Sequence, residues 1–538
     1  MGTPEPEPAS ASPEARSIGL AMSGGGYRAS GFHLGALDYL EEVGLLPRLK
    51  ALSTVSGGTF TGARFALSLV RREPFETFFR LFYAELRDLD LVALGLKRLG
   101  RRRSSVPSGR EDLIVALADV YAETFFAHEG QPSTFGELLD GALPIDTVVF
   151  NATEFRTGTA FRFKRSPHGV IGNFYFPLPR EAVAKVRMAD IVAASSCFPG
   201  GFEPLAFPQD FVWPEGRIPQ GLADLGARPL PLMDGGVCDN QGTESLLLAD
   251  QGKGAELDLI IISDVDQKRE DLFPFPQPRS VGLLGKLRLG TVAVLLWTLM
   301  AASAVTVLGL AAEVWRDGLA LPFGLFTRLL PMLLALAVAY GIWVGRREVV
   351  GRVLEIVPQV GARAWSDFRR LSVDQVAEMI RLRLLSLVTM ASSIFMKRIR
   401  ALGYRALFQD PKYQKRRVSN LVYHLQSNQP FDSLLGGLVP PPSPALRKVA
   451  DAAAAMPTAL WFDPARPYEL PCLVASGQAT LCYNLMKHLL RRHGRDPATF
   501  PPEAARMWSR LAEDWKGFQG DPYVLLERRL GGELPAPP

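Results

Sequence analysis

Cysteine and histidine are scarce in this sequence, and their placement excludes several classes of protein. The chain of 538 residues has six histidines and four cysteines, namely Cys197, Cys238, Cys472 and Cys482. The cysteines form no CxxC pair and lie too far apart for a disulfide-dense scaffold, and they do not combine with histidine at a zinc-binding spacing. We therefore expect free thiols in a reducing compartment and predict neither a metal nor an organic cofactor.

Strong charge of either sign is also lacking. Charged residues make up 21% of the chain, and the net charge is only +5. Spread over this length, that bias is too weak to indicate nucleic acid, and we expect no nucleic-acid partner. An anionic membrane surface attracts the same charges, so the bias is informative only beside other evidence.

The N-terminal segment lacks the marks of a secretory signal. Residues 1–16 are rich in proline, serine, alanine and glutamate, without the basic start and apolar run that a signal peptide needs. Such a composition cannot bury enough apolar surface to fold. We predict a disordered tail over 1–16.

Two long stretches without charge occur near the middle of the chain. Leu289–Ala312 would give about 36 Å of helix, enough to cross a hydrocarbon core of about 30 Å. Leu329–Gly345 is shorter, at about 25 Å. We predict a transmembrane hairpin over 281–348. A soluble pair of apolar helices used for oligomerisation is the alternative.

The charges that flank the hairpin predict its orientation. Arg279, Lys286 and Arg288 precede the first run, and Arg346, Arg347 and Arg352 follow the second. Positive charge at both outer ends places both ends in the cytoplasm. We therefore expect an integral membrane protein whose soluble parts are cytoplasmic, and the Ala-, Leu- and Arg-rich composition suggests a bacterial inner membrane.

The region before the hairpin alternates between strand and helix patterns. Short apolar runs end at Met22 and Val55, each run is followed by glycines, and each glycine turn is followed by helical spacing, which is an α/β pattern. Further strands are predicted at Thr147–Asn151, Phe161–Phe163, Leu257–Ser263 and, beyond the hairpin, Leu470–Ala475.

The second glycine turn places a serine between a strand and a helix. In this position Ser56 would have an exposed hydroxyl beside free helix N–H groups, as a nucleophilic serine requires. Gly57 and Gly58 leave room for the sharp bend, although Thr54 stands where the G-x-S-x-G pattern has glycine. Alone, this is a weak signal.

The first glycine turn can bind an anion through its backbone. Gly24, Gly25 and Gly26 come after a strand and before a helix, and would present N–H donors around a concave site. A P-loop would need a lysine that is absent, and a dinucleotide site would need glycine where Ala29 stands. An oxyanion hole for acyl transfer fits better.

A third motif, Asp234-Gly235-Gly236, completes the set, although Asp-Gly alone is a common turn. Together, G-G-G-Y-R at 24–28, T-V-S-G-G at 54–58 and D-G-G at 234–236 resemble the patatin-like phospholipases, over about 17–265. The resemblance implies an α/β three-layer sandwich with a central, mostly parallel sheet, here interrupted by the transmembrane hairpin.

The resemblance also implies roles for the site residues. Ser56 would be the nucleophile and Asp234 its general base, in a dyad without histidine, and Gly24, Gly25 and Gly26 would hold the oxyanion. Arg28 would either position a lipid phosphate or brace the glycine loop. A histidine base is the rival, but His33, the nearest, lies on the helix after the glycine loop and is expected to be structural.

The predicted organisation has five parts. The tail is followed by the first part of a catalytic domain at 17–280 and the hairpin at 281–348. A mostly helical part at 349–494 completes the catalytic domain, and a helix with a Pro-rich tail covers 495–538.

We expect a membrane-anchored hydrolase of carboxylic esters, of the phospholipase A type, whose partners are the bilayer and its acyl lipids. A catalytically silent protein that binds lipid or scaffolds partners is the alternative, because of Thr54. The sequence leaves head group, acyl length and oligomeric state open.

Overall fold

The computed structural model describes most of the chain. The described residues are 15–100, 105–252, 256–266, 273, 285–317, 333, 336–337, 340–341, 343–344, 370–532 and 534–537. They divide into two compact units. The first comprises Met1–Leu272 and Ala391–Pro538, and the second comprises Phe273–Met390.

Ten of the described strands of the first unit form one sheet in the order β12-β11-β1-β2-β5-β6-β7-β8, with β10 beside β5 and β9 beside β10. A separate small ribbon joins β3 and β4. The strands are β1 (Ile18–Met22), β2 (Leu49–Val55), β3 (Ala127–His128), β4 (Gln131–Pro132), β5 (Thr147–Glu154), β6 (Thr159–Arg165), β7 (Ile171–Gly172), β8 (Pro177–Leu178), β9 (Leu205–Phe207), β10 (Leu230–Asp234), β11 (Leu259–Asp264) and β12 (Arg417–Leu421).

The sheet is mixed, which corrects the expectation of a mostly parallel one. Strands β12, β11, β1, β2 and β5 run parallel to one another. Beyond β5 every pairing is antiparallel, because β6, β7 and β8 follow one another through short connections. Parallel strands direct their carboxyl ends to one edge, so the turns after β1, β2 and β11 meet there.

Helices cover this sheet. Those of the first unit are α1 (Gly26–Glu42), α2 (Gly57–Val70), α3 (Phe75–Asp88), α4 (Leu91–Leu99), α5 (Leu113–Glu123), α6 (Phe135–Asp140), α7 (Arg180–Val183), α8 (Met188–Ser196), α9 (Ala223–Ala227), α10 (Gly236–Asp239), α11 (Thr243–Asp250), α14 (Met396–Gln409), α15 (Pro444–Ala455), α16 (Glu469–His493), α17 (Pro502–Gly520) and α18 (Val524–Leu530). Those of the second unit are α12 (Leu289–Asp317) and α13 (Val373–Thr389). A π-helical turn at Met390–Phe395 follows α13 in the chain.

Two buried helices pack against each other through glycines. A Cβ on Gly35 of α1 would lie 2.1 Å from the Val474 carbonyl oxygen, and one on Gly477 of α16 would lie 2.2 Å from that of Phe32.

The strand predicted at Leu470–Ala475 is wrong, because this segment is the first part of α16. A short apolar run is compatible with a buried strand and with a buried helix, so its sequence pattern does not distinguish the two.

The N-terminal boundary lies slightly earlier than expected. Residues 1–14 of the predicted tail are outside the described residues. Ala15 is buried, and the backbone N–H of Arg16 donates to Asp258 Oδ2 at 2.8 Å. The packed part of the chain therefore includes the last two residues of the segment that composition assigned to the tail.

The second unit contains the first of the predicted spans as helix α12. Two helical stretches are long and apolar enough to cross a membrane, Leu289–Gly309 and Val373–Gln409. Large apolar side chains of α12, such as Trp297 and Leu308, are exposed. The second predicted span, Leu329–Gly345, lies for the most part outside the described residues.

Candidate active site

The serine turn between β2 and α2 has a strained backbone. Ser56 has φ 50° and ψ −121°, a backbone conformation that residues other than glycine rarely adopt. Such strain must be held by surrounding contacts, and it places the side chain at the first turn of α2. The structure thus gives Ser56 the strand-to-helix position that the sequence predicts.

Buried polar groups hold this turn from below. The Ser56 N–H donates to Ser195 Oγ at 3.0 Å, and Ser195 Oγ donates to the Asn151 carbonyl at 2.7 Å. Asn151 Nδ2 in turn donates to the Thr54 carbonyl at 2.9 Å. Ser195 and Asn151 lie far apart in sequence and are joined only by the fold. These contacts over-determine the backbone of the serine turn.

Thr54 fits the turn because a neighbouring residue has no side chain. A Cβ added to Gly62 of α2 would lie 2.4 Å from Thr54 Cγ2, so glycine at 62 leaves the space that the threonine methyl group fills. The Thr54 hydroxyl lies 3.1 Å from that of Thr59. The departure from glycine at 54 is thus accommodated without displacing the strand from the helix.

The glycine turn after β1 packs directly on the serine turn. A Cβ on Gly57 would lie 2.2 Å from the Gly26 carbonyl oxygen and 2.6 Å from its nitrogen. Gly25 and Gly26 have φ of 149° and 58°, which favour glycine. Two backbones therefore meet where an added side chain would separate them.

The three glycine N–H groups are not equivalent. The Gly24 N–H donates to the Asn240 carbonyl at 3.0 Å, so it is already engaged. The N–H groups of Gly25 and Gly26 precede or begin α1 and have no acceptor among the residues that the structure describes. Two backbone donors, rather than the expected three, are available to an anion.

Asp234 ends β10 beside the serine. Its Oδ1 accepts from the Gly236 N–H at 2.7 Å, and it lines the same cleft as Ser56. Burial raises the pKa of Asp234 to about 6, against the opposing effect of the Gly236 N–H and the Ser56 hydroxyl. Gly235 is required for the close approach, since a Cβ there would lie 2.3 Å from the Asn151 carbonyl oxygen.

Arg28, the arginine after the glycines, braces a segment from the far end of the chain. Its Nη1 donates to the Met456 carbonyl at 2.8 Å, and the neighbouring Tyr27 N–H donates to the Ala459 carbonyl at 2.8 Å. Of the two roles expected for Arg28, bracing is thus visible, and the segment after Met456 lies over the glycine turn.

The other candidate residues are placed away from the reaction. His33 is buried, with Nδ1 2.9 Å from Ser263 Oγ and Nε2 3.0 Å from the Ser23 carbonyl oxygen. Burial lowers the pKa of His33 to about 4. Cys197 is buried as well, and burial raises the pKa of its thiol, so it is not an activated nucleophile.

A cleft of about 540 Å³ opens above these groups. It brings together the glycine turn, Ser56 and Asp234 with apolar and basic side chains. The walls include Phe198, Phe202, Met396, Leu460 and Trp461 among apolar residues, and Arg28, Lys397 and Arg400 among basic ones. No cluster of three or more metal-ligating side chains is found within the described parts of the chain.

Sequence reasoning missed Asn240 and Arg400, which also line the cleft. Asn240 follows the Asp234 motif by six residues, and Arg400 stands in a basic stretch of a helix. Neither residue belongs to a recognisable sequence motif, because the contacts of each are with residues that are distant in sequence.

Comparison with known proteins agrees with this geometry. The family model of the patatin-like phospholipases matches residues 20–247. This region of the chain is thus similar to the patatin-like phospholipases. The matched region includes the glycine turn, Ser56 and Asp234. Among curated proteins, none matches the sequence.

Solved structures that resemble the chain include human and bacterial proteins. Human GIVD cytosolic phospholipase A2 is 17% identical with a TM-score of 0.30, over 46% of this chain and 42% of that one. VipD from Legionella pneumophila is 16% identical with a TM-score of 0.23, over 46% and 50%. The chain thus spans half or less of these proteins.

Proposed function

We propose that the chain is a membrane-anchored lipid-acyl hydrolase of the phospholipase A type, in which Ser56 is the nucleophile and Asp234 its base. The observation that carries this proposal is that Ser56 and Asp234 line one cleft with Gly25 and Gly26, whose N–H groups have no acceptor among the described residues. A nucleophile, a base and oxyanion donors at one cleft are the parts that acyl transfer needs.

In the first half of the reaction, the Asp234 carboxylate takes the proton from the Ser56 hydroxyl. Ser56 Oγ then forms a bond to the ester carbonyl carbon, and the negative charge moves to the carbonyl oxygen. The N–H groups of Gly25 and Gly26 hold that oxygen. When the intermediate collapses, the bond to the alcohol oxygen breaks and Asp234 returns its proton to the leaving alcohol.

In the second half, water replaces the alcohol. Asp234 accepts a proton from the water as its oxygen bonds to the acyl carbon of the acyl-enzyme. Collapse breaks the bond to Ser56 Oγ, which is reprotonated from Asp234, and a fatty acid leaves. A carboxyl whose pKa is about 6 is ionised at neutral pH and remains basic enough to take part in these transfers.

The walls of the cleft support an acyl lipid as substrate. Phe198, Phe202 and Trp461 give an apolar lining for a chain, while Arg28 and Lys397 add positive charge at the same cleft. An amphiphile with an apolar chain and an anionic group matches this combination. The similarity to the patatin-like phospholipases supports the same choice.

Anchoring in the membrane is supported by helix α12. Its 29 residues and the exposed Val294, Trp297 and Val305 match a helix in contact with lipid. The flanking positive charges support a cytoplasmic position for the soluble parts. Extraction of membranes with alkaline carbonate tests this part, since an integral protein stays in the pellet and a peripheral one is released.

Acyl release from mixed phospholipid vesicles by detergent-purified protein tests the chemistry. Ser56→Ala and Asp234→Asn should each lose activity by a factor of about 10³ or more while remaining folded. Cys197→Ser, which changes a buried thiol that takes no part in the proposed reaction, is the control and should retain activity.

Equal activity in all of these proteins would reject Ser56 and Asp234 as the reacting pair. An inactive wild type on every lipid and short ester would favour the silent lipid-binding alternative, and vesicle binding without hydrolysis would then be measured.

A further inference from the structure

Asn240 lies between the groups that the proposed reaction uses. A Cβ added to Gly24 would lie 2.6 Å from one of the two terminal atoms of the Asn240 side-chain amide and 3.0 Å from Ser56 Cβ. A Cβ added to Gly236 would lie 2.7 Å from the same end of the amide and 3.0 Å from Asp234 Oδ1. One end of the Asn240 side chain is therefore directed at the space beside Ser56 and Asp234.

Arg400 determines which end of the amide that is. Its Nε and Nη2 lie 3.0 and 2.8 Å from the other end of the Asn240 amide. Both arginine atoms are donors, so the atom that faces them must be the amide oxygen. The nitrogen, with its two N–H groups, consequently faces Gly24 and Ser56.

Arg400 is itself fixed by carboxylates at the end of β11. Its Nη1 donates to Asp266 Oδ1 at 2.5 Å, and its Nε lies 3.5 Å from Asp264 Oδ1. The Tyr404 hydroxyl, one turn further along α14, donates to Asp264 Oδ2 at 3.1 Å. The guanidinium is thus held on one side by acids and on the other by Asn240.

We propose that Asn240 Nδ2 donates a hydrogen bond to the acyl oxygen in the transition state, and that Arg400 is the positioning residue that keeps this donor oriented. The proposal rests on the proposed hydrolase function. It supplies a third oxyanion donor in place of the Gly24 N–H, which the Asn240 carbonyl already engages. The Asn240 backbone thus fixes the glycine turn, while its side chain serves the substrate.

Steady-state kinetics on a soluble short-chain ester test the donor. Asn240→Ala should lower kcat by about 10²- to 10³-fold with little change in KM, because a donor to the oxyanion acts mainly in the transition state. Asn240→Asp keeps the shape but places an acceptor beside the oxyanion, so it should be at least as slow. Affinity for an alkyl trifluoromethyl ketone, whose adduct carries the oxyanion, should fall in parallel.

Arg400 is tested against a matched arginine. Arg416 is as buried as Arg400, at 15% and 12% exposure of the side chain, and pairs with a buried aspartate, Asp250. Arg400→Met should lower kcat about 10-fold or more and leave KM nearly unchanged, whereas Arg416→Met should leave the kcat of folded protein unchanged. Arg400→Lys retains a donor and should recover part of the loss.

Two results would overturn the proposal. One is a kcat for Asn240→Ala within threefold of wild type, and the other is an equal loss for the Arg400 and Arg416 variants, which would show a general effect on folding. In both cases the Ser56→Ala variant distinguishes failure of the role proposed for Asn240 from failure of the proposed reaction. If Ser56→Ala is inactive, only the role of Asn240 fails, and if it is active, the proposed reaction fails first.

Discussion

The two edges of the parallel half of the sheet each have an arginine paired with a buried aspartate, but the other contacts of the two arginines differ. At the carboxyl edge, Arg400 pairs with the fully buried Asp264, and at the amino edge, Arg416 pairs with the fully buried Asp250. Arg416 also donates to the Leu257 carbonyl and, through Nη1, to Glu256 Oε1, so its remaining donors join the neighbouring chain segment. Those of Arg400 are directed at the Asn240 side chain, which borders the cleft.

This comparison shows that a buried ion pair does not by itself indicate a functional site. Both pairs bear the cost of removing two charges from water and recover it through geometry and further hydrogen bonds. What differs is the third partner. At one edge it joins chain segments, and at the other it orients a side chain beside Ser56.

The largest effect is expected where the carboxyl edge brings two backbones together. Gly57→Ala would place a methyl group 2.2 Å from the Gly26 carbonyl oxygen, so the two turns must separate. We expect acyl release to fall more than 100-fold. Gly520→Ala is the control, because a Cβ there has open space. Activity of Gly57→Ala above half that of wild type would show that the turns can shift together.

A large effect on stability, rather than on catalysis, is expected at the amino edge. Arg416→Met leaves the buried Asp250 with Lys412 as its one charged partner among the described residues, and breaking such a pair costs about 3–5 kcal/mol. Denaturant unfolding should detect this loss, while activity per folded molecule is retained. A loss of activity without a loss of stability would remove the distinction between the two edges.

The pH dependence of activity tests the carboxyl edge, because Asp234 must be ionised to act as the proposed base. Its pKa is raised to about 6, so kcat/KM should fall about tenfold per pH unit below that value and level off above it. A profile of kcat/KM from pH 4.5 to 8.5 on a soluble ester measures this. Activity that is flat down to pH 4.5 would contradict the assignment of the base.

The smallest effect concerns the stability of the carboxyl edge itself. A raised carboxyl pKa means that the folded state binds its proton more tightly, so stability from Asp234 is present below about pH 4 and lost as the pH rises through 6. Asp234→Asn should therefore raise the free energy of unfolding by about 1–3 kcal/mol at pH 7.5. The gain should shrink at pH 4.5, and a destabilised variant at pH 7.5 would reverse the prediction.

The local parts of the site could be predicted from the sequence. Gly24–Gly26, Ser56 and Asp234 each belong to short motifs in which a turn, a serine or an acid is recognisable from its neighbours, and the structure gathers them at one cleft. The first apolar run likewise predicts helix α12, because an uncharged stretch of that length has few other conformations.

The distant partners could not be predicted, because their roles exist only in three dimensions. Ser195 braces the serine turn from another helix, and Gly62 makes room for Thr54 one turn further along α2. In the antiparallel half of the sheet, β6 was predicted in part at Phe161–Phe163, but β7 and β8 were missed since each is only two residues long. The first part of α16 was assigned to a strand from a run too short to distinguish the two.

The pairing of β11 with β12 has a consequence for how the protein is made. These parallel neighbours are separated by more than 150 residues of chain, including α12. While the polypeptide emerges from the ribosome, Ser56 and Asp234 are synthesised long before Arg400, the segment that Arg28 contacts, and helix α16. The cleft cannot be completed until the apolar segment has been translated, so in the proposed enzyme insertion into the bilayer can precede activity.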